Sequence, residues 1–342
     1  MRNSEEGSVM NVYCCGGTGV NIGAELEAYQ GQHERGFSEI NIYYIDTSHA
    51  NLRGRNIDAS RVYLIDGRSE GRDGSGGIRA ENNARISERM ADIMLKMPAA
   101  KYNVVLFSAS GGSGSAAGPH LIRHLMEEDC IVVAMVVSDT NTIQYAHNSV
   151  NTYKSLSGVV GKMEGRSLPI FSHINRPGQT ERSVNSKIIS DIGLLSILFS
   201  EQLRRLDYAD IYNWANQERI TKIHAPLTFV GQAIFDKAGK LLEEETRMGV
   251  MEHLVTGVAI QMGEDHVPPV LQIPYAKTGI ALESYEEFFG NDHSFMLVTS
   301  TDIEAVYKEL AATRQANEKT MKARSKSSAI AVDNADDDGM VL

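Results

Sequence analysis

Two glycine clusters and one pair of acids carry the chemistry this sequence could perform. The first cluster, Cys15-Gly16-Gly17-Thr18-Gly19-Val20-Asn21, lies between a β-rich run and a helical one. At such a junction, bare backbone N–H groups and the positive end of the helix dipole can hold a phosphate, and glycine lets the backbone come close. Taken alone, the cluster admits several readings. Gly17, Gly19 and Gly23 form a GxGxxxG that also suits a dinucleotide-binding turn, with Asp46 after the second β-rich run as the acid on a ribose. A tight turn with no ligand is a third possibility. The second cluster, Ser108-Ala109-Ser110-Gly111-Gly112-Ser113-Gly114-Ser115-Ala116, again closes a β-rich run and opens a helix. Two helix N-termini directed at one ligand suit a polyphosphate. A Walker loop would need GxxxxGK followed by Ser or Thr, and the chain has none, since Gly161-Lys162 is followed by Met163. A nucleotide site built of glycine loops without that lysine remains.

The acids Asp207 and Asp210 follow a helical stretch read from Asn185 to Leu206. At 1.5 Å per residue they lie roughly 30 Å from the start of that helix, beyond reach of a nucleotide bound there. If they orient an attacking water, the phosphate belongs to another copy of the chain, and a head-to-tail contact that does not close makes a filament. The plain alternative is a solvated acidic turn. His120 and His124 stand one helical turn apart, but Arg123 breaks the HExxH pattern and no third ligand is evident, so the sequence proposes no metal-binding residues.

The elements that must position these residues alternate. β-rich runs at Val9 to Cys14, Ile40 to Ile45, Val62 to Ile65, Val104 to Phe107, Ile131 to Val137 and Leu168 to Ile174 are separated by helical stretches, which is an α/β pattern. Several runs are apolar without alternation, as parallel strands covered on both faces should be, and the ligand site then lies at the strands' carboxyl ends. All three glycine-rich segments fall there: Gly16 to Gly19, Gly67 to Gly77 and Gly111 to Gly114. The Asn185 to Leu206 helix is apolar around much of its circumference and is read as buried between two units. Leu227 to Gly231, Val258 to Met262, Val270 to Ile273 and Phe295 to Thr299 are expected strands of a second, smaller unit. Thr301 and Glu304 have capping-box spacing and announce a last helix, 301–315, with Ile303, Val306, Tyr307 and Leu310 on one face. Residues 316–342 are expected to be a flexible tail, basic and then acidic through Asp333, Asp336, Asp337 and Asp338.

Composition bounds the function. Of 342 residues, 42% are hydrophobic and 23% charged, so the chain can bury a sizeable core and is not disordered throughout. A net charge of -11 argues against broad binding to nucleic acid or anionic lipid. No apolar run is long enough to span a bilayer, and the polar start, Met1 to Gly7, is not expected to be a secretory signal. Cys14, Cys15 and Cys130 are an odd set without CxxC spacing, which suits a reducing cytoplasm.

In order and spacing, Gly16-Gly17-Thr18-Gly19-Val20-Asn21, the loop Ser110 to Ser115, and Leu206-Asp207-Tyr208-Ala209-Asp210-Ile211 resemble the three signatures of the tubulin and FtsZ superfamily of GTPases. The second loop is similar to GGGTGSG, with Ser110 and Ser113 in place of its first Gly and its Thr. The third resembles NVDFADV with both acids kept, Leu206 in the Val place and Arg205 in the Asn place. The resemblance is good over residues 8 to 215 and in outline beyond, and the short chain with its long last helix and acidic tail is most similar to the phage tubulins.

This resemblance implies a tubulin/FtsZ-like α/β fold. It implies a parallel-sheet GTP-binding domain over 1–182, a central helix over 183–206, and a second, activation-type domain over 207–300 with a catalytic loop at 205–211. It implies that Gly16, Gly17, Thr18, Gly19, Asn21 and Ser110, Gly111, Gly112, Ser113, Gly114 and Ser115 hold the phosphates of GTP or GDP. Asp66, Gly67, Gly76 and Gly77 would cover the terminal phosphate, Asp46 and Thr47 would order the Mg2+ environment, and Asn185 would read the guanine edge unless it is a simple N-cap. Asp207 and Asp210 would serve catalysis at the junction between subunits. The implied partner is the chain itself, in a head-to-tail homopolymer whose C-terminal tail contacts the neighbouring subunit. The filament would position phage DNA in the host cytoplasm without membrane or direct nucleic-acid binding, through an unidentified adaptor. Plasmid partitioning or cell division is the runner-up within the family. An NAD(P)-dependent oxidoreductase is the alternative outside it, supported by the first glycine turn alone.

Overall fold

The computed structural model describes residues 8–30, 37–65, 73–74, 76–176, 178–242, 253–281 and 292–327. Asp66, Gly67 and the acidic tail beyond 327 therefore lie outside the described residues.

Six parallel strands follow the expected runs: β1 (Val9–Cys15), β2 (Glu39–Asp46), β3 (Val62–Leu64), β4 (Tyr102–Ser108), β5 (Ile131–Asp139) and β6 (Leu168–Asn175). β4 is buried along its whole length and β5 along all but its last residue, which is what their unbroken Val, Ile, Leu and Phe content demands. Between them run α1 (Gly16–Gln30), α2 (Arg79–Lys96), α3 (Ser113–Glu127) and α4 (Ile143–Val160), followed by α5 (Glu181–Leu198). Next come α6 (Tyr208–Ala215), α7 (Glu218–Thr221), β7 (Leu227–Asp236), β8 (Leu254–Gln261), β9 (Tyr275–Ile280), β10 (His293–Ser300) and α8 (Ile303–Ser327).

All ten strands form one sheet, ordered β3-β2-β1-β4-β5-β6-β7-β10-β8-β9. β6 pairs in parallel with β7, so the second group of strands continues the first. β10 lies antiparallel between β7 and β8. One apolar cluster runs from Met10 and Val12 through Ile188, Ile192 and Leu195 of α5 to Trp214, Val258 and Leu297. A second, on the other face, packs α2, α3, α4 and α8 against the parallel strands. Strand order reverses between β1 and β4, whose neighbours run outward in opposite directions, and the crevice at the carboxyl ends of these two strands is where such sheets bind ligands.

Three expectations need correction. The central helix is Glu181–Leu198, not Asn185 to Leu206. Ser200 turns back on the Ile197 carbonyl, Glu201 and Arg205 have positive φ, and Arg204 pairs with Ile280 as an isolated bridge. Leu203 and Leu206 are buried by this extended path, so apolar periodicity continued past the point where the helix stops. Val270 to Ile273 is not a strand. Bounded by Pro268, Pro269 and Pro274, it leads into β9, which pairs in parallel with β8. The last helix continues to Ser327, so 316–327 is helical rather than a flexible tail. That stretch has no Gly or Pro, is rich in good helix formers, and is tied to the preceding turn by the i,i+4 pair Arg314–Glu318. As expected, Leu310 is buried and Ile303, Val306 and Tyr307 pack beside it. Among the described residues no helix is long and apolar enough to cross a membrane.

Candidate functional site

The two glycine clusters interlock at the β1/β4 switch point. Gly16 follows β1 with φ +71°, and a Cβ there would stand 2.6 Å from the backbone N of Gly114. A Cβ on Gly114 would stand 2.6 Å from the Cys15 carbonyl oxygen. The loops thus touch backbone to backbone, and only glycine fits on either side. Gly19 lets α1 pack onto β1 and β4, since its Cβ would lie 2.8 Å from the Cys14 carbonyl carbon and 2.9 Å from the Leu106 oxygen. Gly111, by contrast, faces open space, with nothing within 4 Å of a built Cβ. α3 begins at Ser113 behind Gly112, with no side-chain cap and no acid in its first turn. α1 likewise has no acid in its first turn, so the first N–H groups of the two helices suit an anion.

Polar side chains hold this cradle. Asp46 is buried, and its Oδ1 accepts from the Thr47 and Ser48 N–H groups at 2.7 and 3.3 Å while Oδ2 accepts from Asn51 Nδ2 at 2.7 Å. Burial pushes its pKa up, against the lowering effect of those bonds. Asp46 therefore shapes the 47–51 loop, and Asn51 leans on Gly17, whose Cβ would lie 2.9 Å from its amide. The Thr47 hydroxyl meets the Ser113 hydroxyl at 2.5 Å. Ser110 is buried and bonds Ser108, and Ser115 turns inward onto the Gly111 and Gly112 carbonyls. Gly76 and Gly77 have positive φ with open space around them. Thr18 is half-buried at the start of α1.

Sequence reading missed Asn148, which ties the cradle together. From α4 its Nδ2 donates to the carbonyls of Gly77 (2.9 Å), Ser110 (2.9 Å) and Gly111 (3.3 Å). One turn on, Thr152 bonds the Ala109 carbonyl at 3.0 Å. Arg79 reaches from α2 to the Ser115 carbonyl at 3.0 Å. The available signal was a polar pair, Asn148 and Thr152, on a helix stripe continued by apolar Leu156 and Val160.

Further along α1, Asn185 Nδ2 donates to Glu25 Oε1 at 2.9 Å, and Asn21 accepts from Arg55. Asn185 is not the N-cap of α5. Thr180 is, accepting from the Ser183 N–H. The α1–α5 edge thus presents two asparagines beside the cradle.

Asp207 and Asp210 form the capping box of α6. Asp207 accepts from the Asp210 N–H at 3.0 Å, and Asp210 Oδ2 accepts from the Asp207 N–H at 3.4 Å. Trp214 is buried behind them and donates to the Leu297 carbonyl at 3.1 Å. The surroundings locate this box. Ser38 bonds the Ser196 carbonyl, Lys101 pairs with Glu201, and Arg166 bonds both Asp129 and the Tyr212 hydroxyl. Ser38, Lys101, Asp129 and Arg166 all stand just before strands β2, β4, β5 and β6. The acids are therefore at the strands' amino ends and the glycine loops at their carboxyl ends, separated by the length of seven-residue β4, about 20 Å. α5 covers about 20 Å from Asn185 to Leu198, so the roughly 30 Å expected from a longer helix shortens to about 20 Å, while strand polarity still puts the two groups at opposite strand ends.

Residues 10–164 match the Tubulin/FtsZ family, GTPase domain. That segment is similar to the GTPase domain of this family, and the whole chain has the tubulin/FtsZ fold. More particularly, the chain is similar to phage tubulins. It is 32% identical over 212 residues to the phage tubulin-like protein of Pseudomonas phage phiKZ, a match covering 60% of this chain and 62% of that one. The chain thus spans about three-fifths of the length of the curated relatives it matches. Among solved structures, the protofilament of TubZ from Bacteriophage PhiKZ superposes with a TM-score of 0.77 at 24% identity, covering 96% of this chain and 95% of that one. The phage tubulin PhuZ bound to GDP superposes with a TM-score of 0.75 at 21% identity, covering 98% and 99%.

Proposed function

We propose that the chain binds GTP and GDP at the interlocked glycine loops, hydrolyses GTP at junctions between copies, and polymerises head to tail into dynamic filaments. One observation carries this reading: the anion cradle and the paired acids lie at opposite strand ends of a single sheet. The two halves of one hydrolytic site then meet only when copies stack with the same polarity, and a repeated contact of that kind stays open. We assign GTP binding to 1–182 and activation to 207–300, with α5 between them.

In such a junction the phosphates rest on the N-termini of α1 and α3, with Thr18 and Ser113 beside them. Asn185 faces the base and Asn21 belongs with the phosphate loop, and Gly76 and Gly77 close over the terminal phosphate, a role also assigned to Asp66 and Gly67. A water held by the acids of the next copy bonds to the γ-phosphorus as the bond to the bridging oxygen breaks. GDP leaves, and the water's proton ends on the released phosphate. Among the described residues no three His, Cys, Asp or Glu stand together as a metal group. Magnesium would come on the phosphates, with the bonded Thr47 and Ser113 hydroxyls beside its water shell. It would neutralise phosphate charge.

The likeness to phage tubulins supports a filament that positions phage DNA within the cytoplasm of an infected bacterium, through an adaptor rather than by direct DNA contact, given the net charge of -11. The aspartate-rich C-terminus is assigned to the neighbouring subunit. Sedimentation with GTP, GDP and NADH in parallel tests the reading. GTP should pellet the protein and GDP should pellet little, while pelleting or turnover dependent on NADH would overturn the assignment.

A further inference from the structure

Asn148 stands where two loops meet, and its amide has fewer hydrogens than acceptors. The residue is only 4% exposed. From α4 its Nδ2 reaches the carbonyls of Gly77 at 2.9 Å, Ser110 at 2.9 Å and Gly111 at 3.3 Å. Two hydrogens thus serve three oxygens. Ser110 and Gly111 are consecutive, so one hydrogen is shared between their carbonyls and the other goes to Gly77. The amide is oriented from behind, since Asn148 Oδ1 accepts from Gln144 Nε2, one turn earlier, at 3.2 Å. One turn later Thr152 Oγ1 donates to the Ala109 carbonyl at 3.0 Å. α4 therefore meets carbonyls 109, 110 and 111 in succession, and of these contacts only the one from Asn148 extends to the Gly77 segment. That segment is loosely built. Gly76 and Gly77 have φ +55° and +82°, a built Cβ on either meets nothing within 4 Å, and Ile78 is exposed. The chain is fastened again at Arg79, whose Nε donates to the Ser115 carbonyl at 3.0 Å and whose Nη2 donates to Ser155 of α4 at 2.7 Å. A polar cleft of about 470 Å3, lined in part by Ile78, Arg79, Asn148 and Asn151, lies beside this stretch. The segment ahead of Arg79 thus has room to move, and Asn148 ties it to the phosphate cradle.

We propose that Asn148 is the positioning residue through which the chain tells GTP from GDP: its amide fixes the segment over the terminal phosphate to the loop beneath the other two. The inference rests on the nucleotide reading above and deepens it. A protein separates two ligands only by interactions it makes with one and not the other. The Ser110 to Ser115 loop serves phosphates that both nucleotides carry, whereas Gly76 and Gly77 meet the one that GDP lacks. Held by Asn148, the segment is ordered before GTP arrives, so less conformational freedom is lost on binding. GDP gains nothing from that order. Losing the amide should therefore weaken GTP selectively, while losing a bond to the cradle loop alone should weaken both nucleotides.

The test measures the affinities of GTPγS and GDP for the full chain, below the assembly threshold so that no junction between copies contributes. Asn148→Ala should weaken GTPγS about tenfold and GDP by no more than about twofold. Thr152→Val keeps the side chain's shape and removes the bond to the Ala109 carbonyl, so it should change both affinities by the same factor. Asn148→Ser, smaller but still polar, should show the selectivity of Asn148→Ala in lesser degree, and it replaces that variant in the comparison should the alanine protein not fold. Above the threshold, Asn148→Ala should raise the KM for GTP about tenfold and keep turnover at saturating GTP within about threefold of wild type. Equal weakening of both nucleotides in Asn148→Ala overturns the proposal, because the asparagine would then only support the cradle. Unchanged affinities overturn it as well. A wild-type chain that binds neither nucleotide overturns the nucleotide reading itself, which keeps the two failures apart.

Discussion

Gly16 and Gly114 hold each other in place, because each would drive a Cβ to 2.6 Å from the other loop's backbone. Gly114→Ala should therefore cost about 2–4 kcal/mol of stability, as an overpacked and unyielding site does, and abolish nucleotide binding with it. Gly111→Ala is the informative contrast, since nothing lies within 4 Å of the added methyl. Its unfolding midpoint in urea should stay within about 0.5 kcal/mol of wild type while GTP affinity falls at least about tenfold, a loss due to the ligand alone. Unchanged affinity in Gly111→Ala would move the phosphates away from this loop. The glycines were legible in the sequence because a missing side chain is itself the signal. Asn51 and Asn148 were not. Which carbonyls reach Asn148 from 37, 38 and 71 residues away is decided by how helices pack, and nothing local to the asparagine reports it.

At the scale of elements, parallel strands were the most readable feature, since a strand covered on both faces has to be apolar throughout, as β4 and β5 are. Helix ends were least readable. The apolar stripe of α5 runs on through Phe199, Leu203 and Leu206 because these residues are buried in either conformation, and what ends the helix is the Arg204–Ile280 bridge to a strand more than seventy residues later. α6 was visible only as an acid pair. Its capping box gives a prediction with a definite sign. The folded pKa of Asp210 lies below its unfolded value, so its ionised form contributes stability above about pH 4, and that contribution is lost as pH falls through the folded pKa. Asp210→Asn should lower the urea midpoint at pH 7 and flatten the decline in stability below about pH 4. Equal slopes in the two proteins would show that Asp210 is not stabilised as the carboxylate.

The whole molecule is polar in a way that no single element is. Parallel strands send the two interlocked glycine loops to their carboxyl ends and bring α6 to their amino ends, so under the proposed function a copy presents a binding half and an activating half in opposite directions. The continuity of the sheet from β6 into β7 was not legible, because a strand's partners are not written in its own residues. Asp336, Asp337 and Asp338 belong to this scale, since a segment beyond 327 adjoins a helix that itself packs along α4 through His147–Glu318 and donates from Asn317 to the Thr140 carbonyl just before α4. Truncation after Ile330 should raise the critical concentration several-fold in low salt and leave GTP binding intact, and replacing the three aspartates with Asn should reproduce part of the loss. An unchanged threshold would make the segment a solubiliser or an adaptor site. The central claim is that each hydrolytic site is built from two copies. It is tested most directly by phosphate release from GTP measured across protein concentrations that span the assembly threshold. Release should rise more steeply than linearly through the threshold, with turnover per subunit near zero below it and a plateau above. Turnover per subunit that is constant from well below to well above the threshold would contradict the claim.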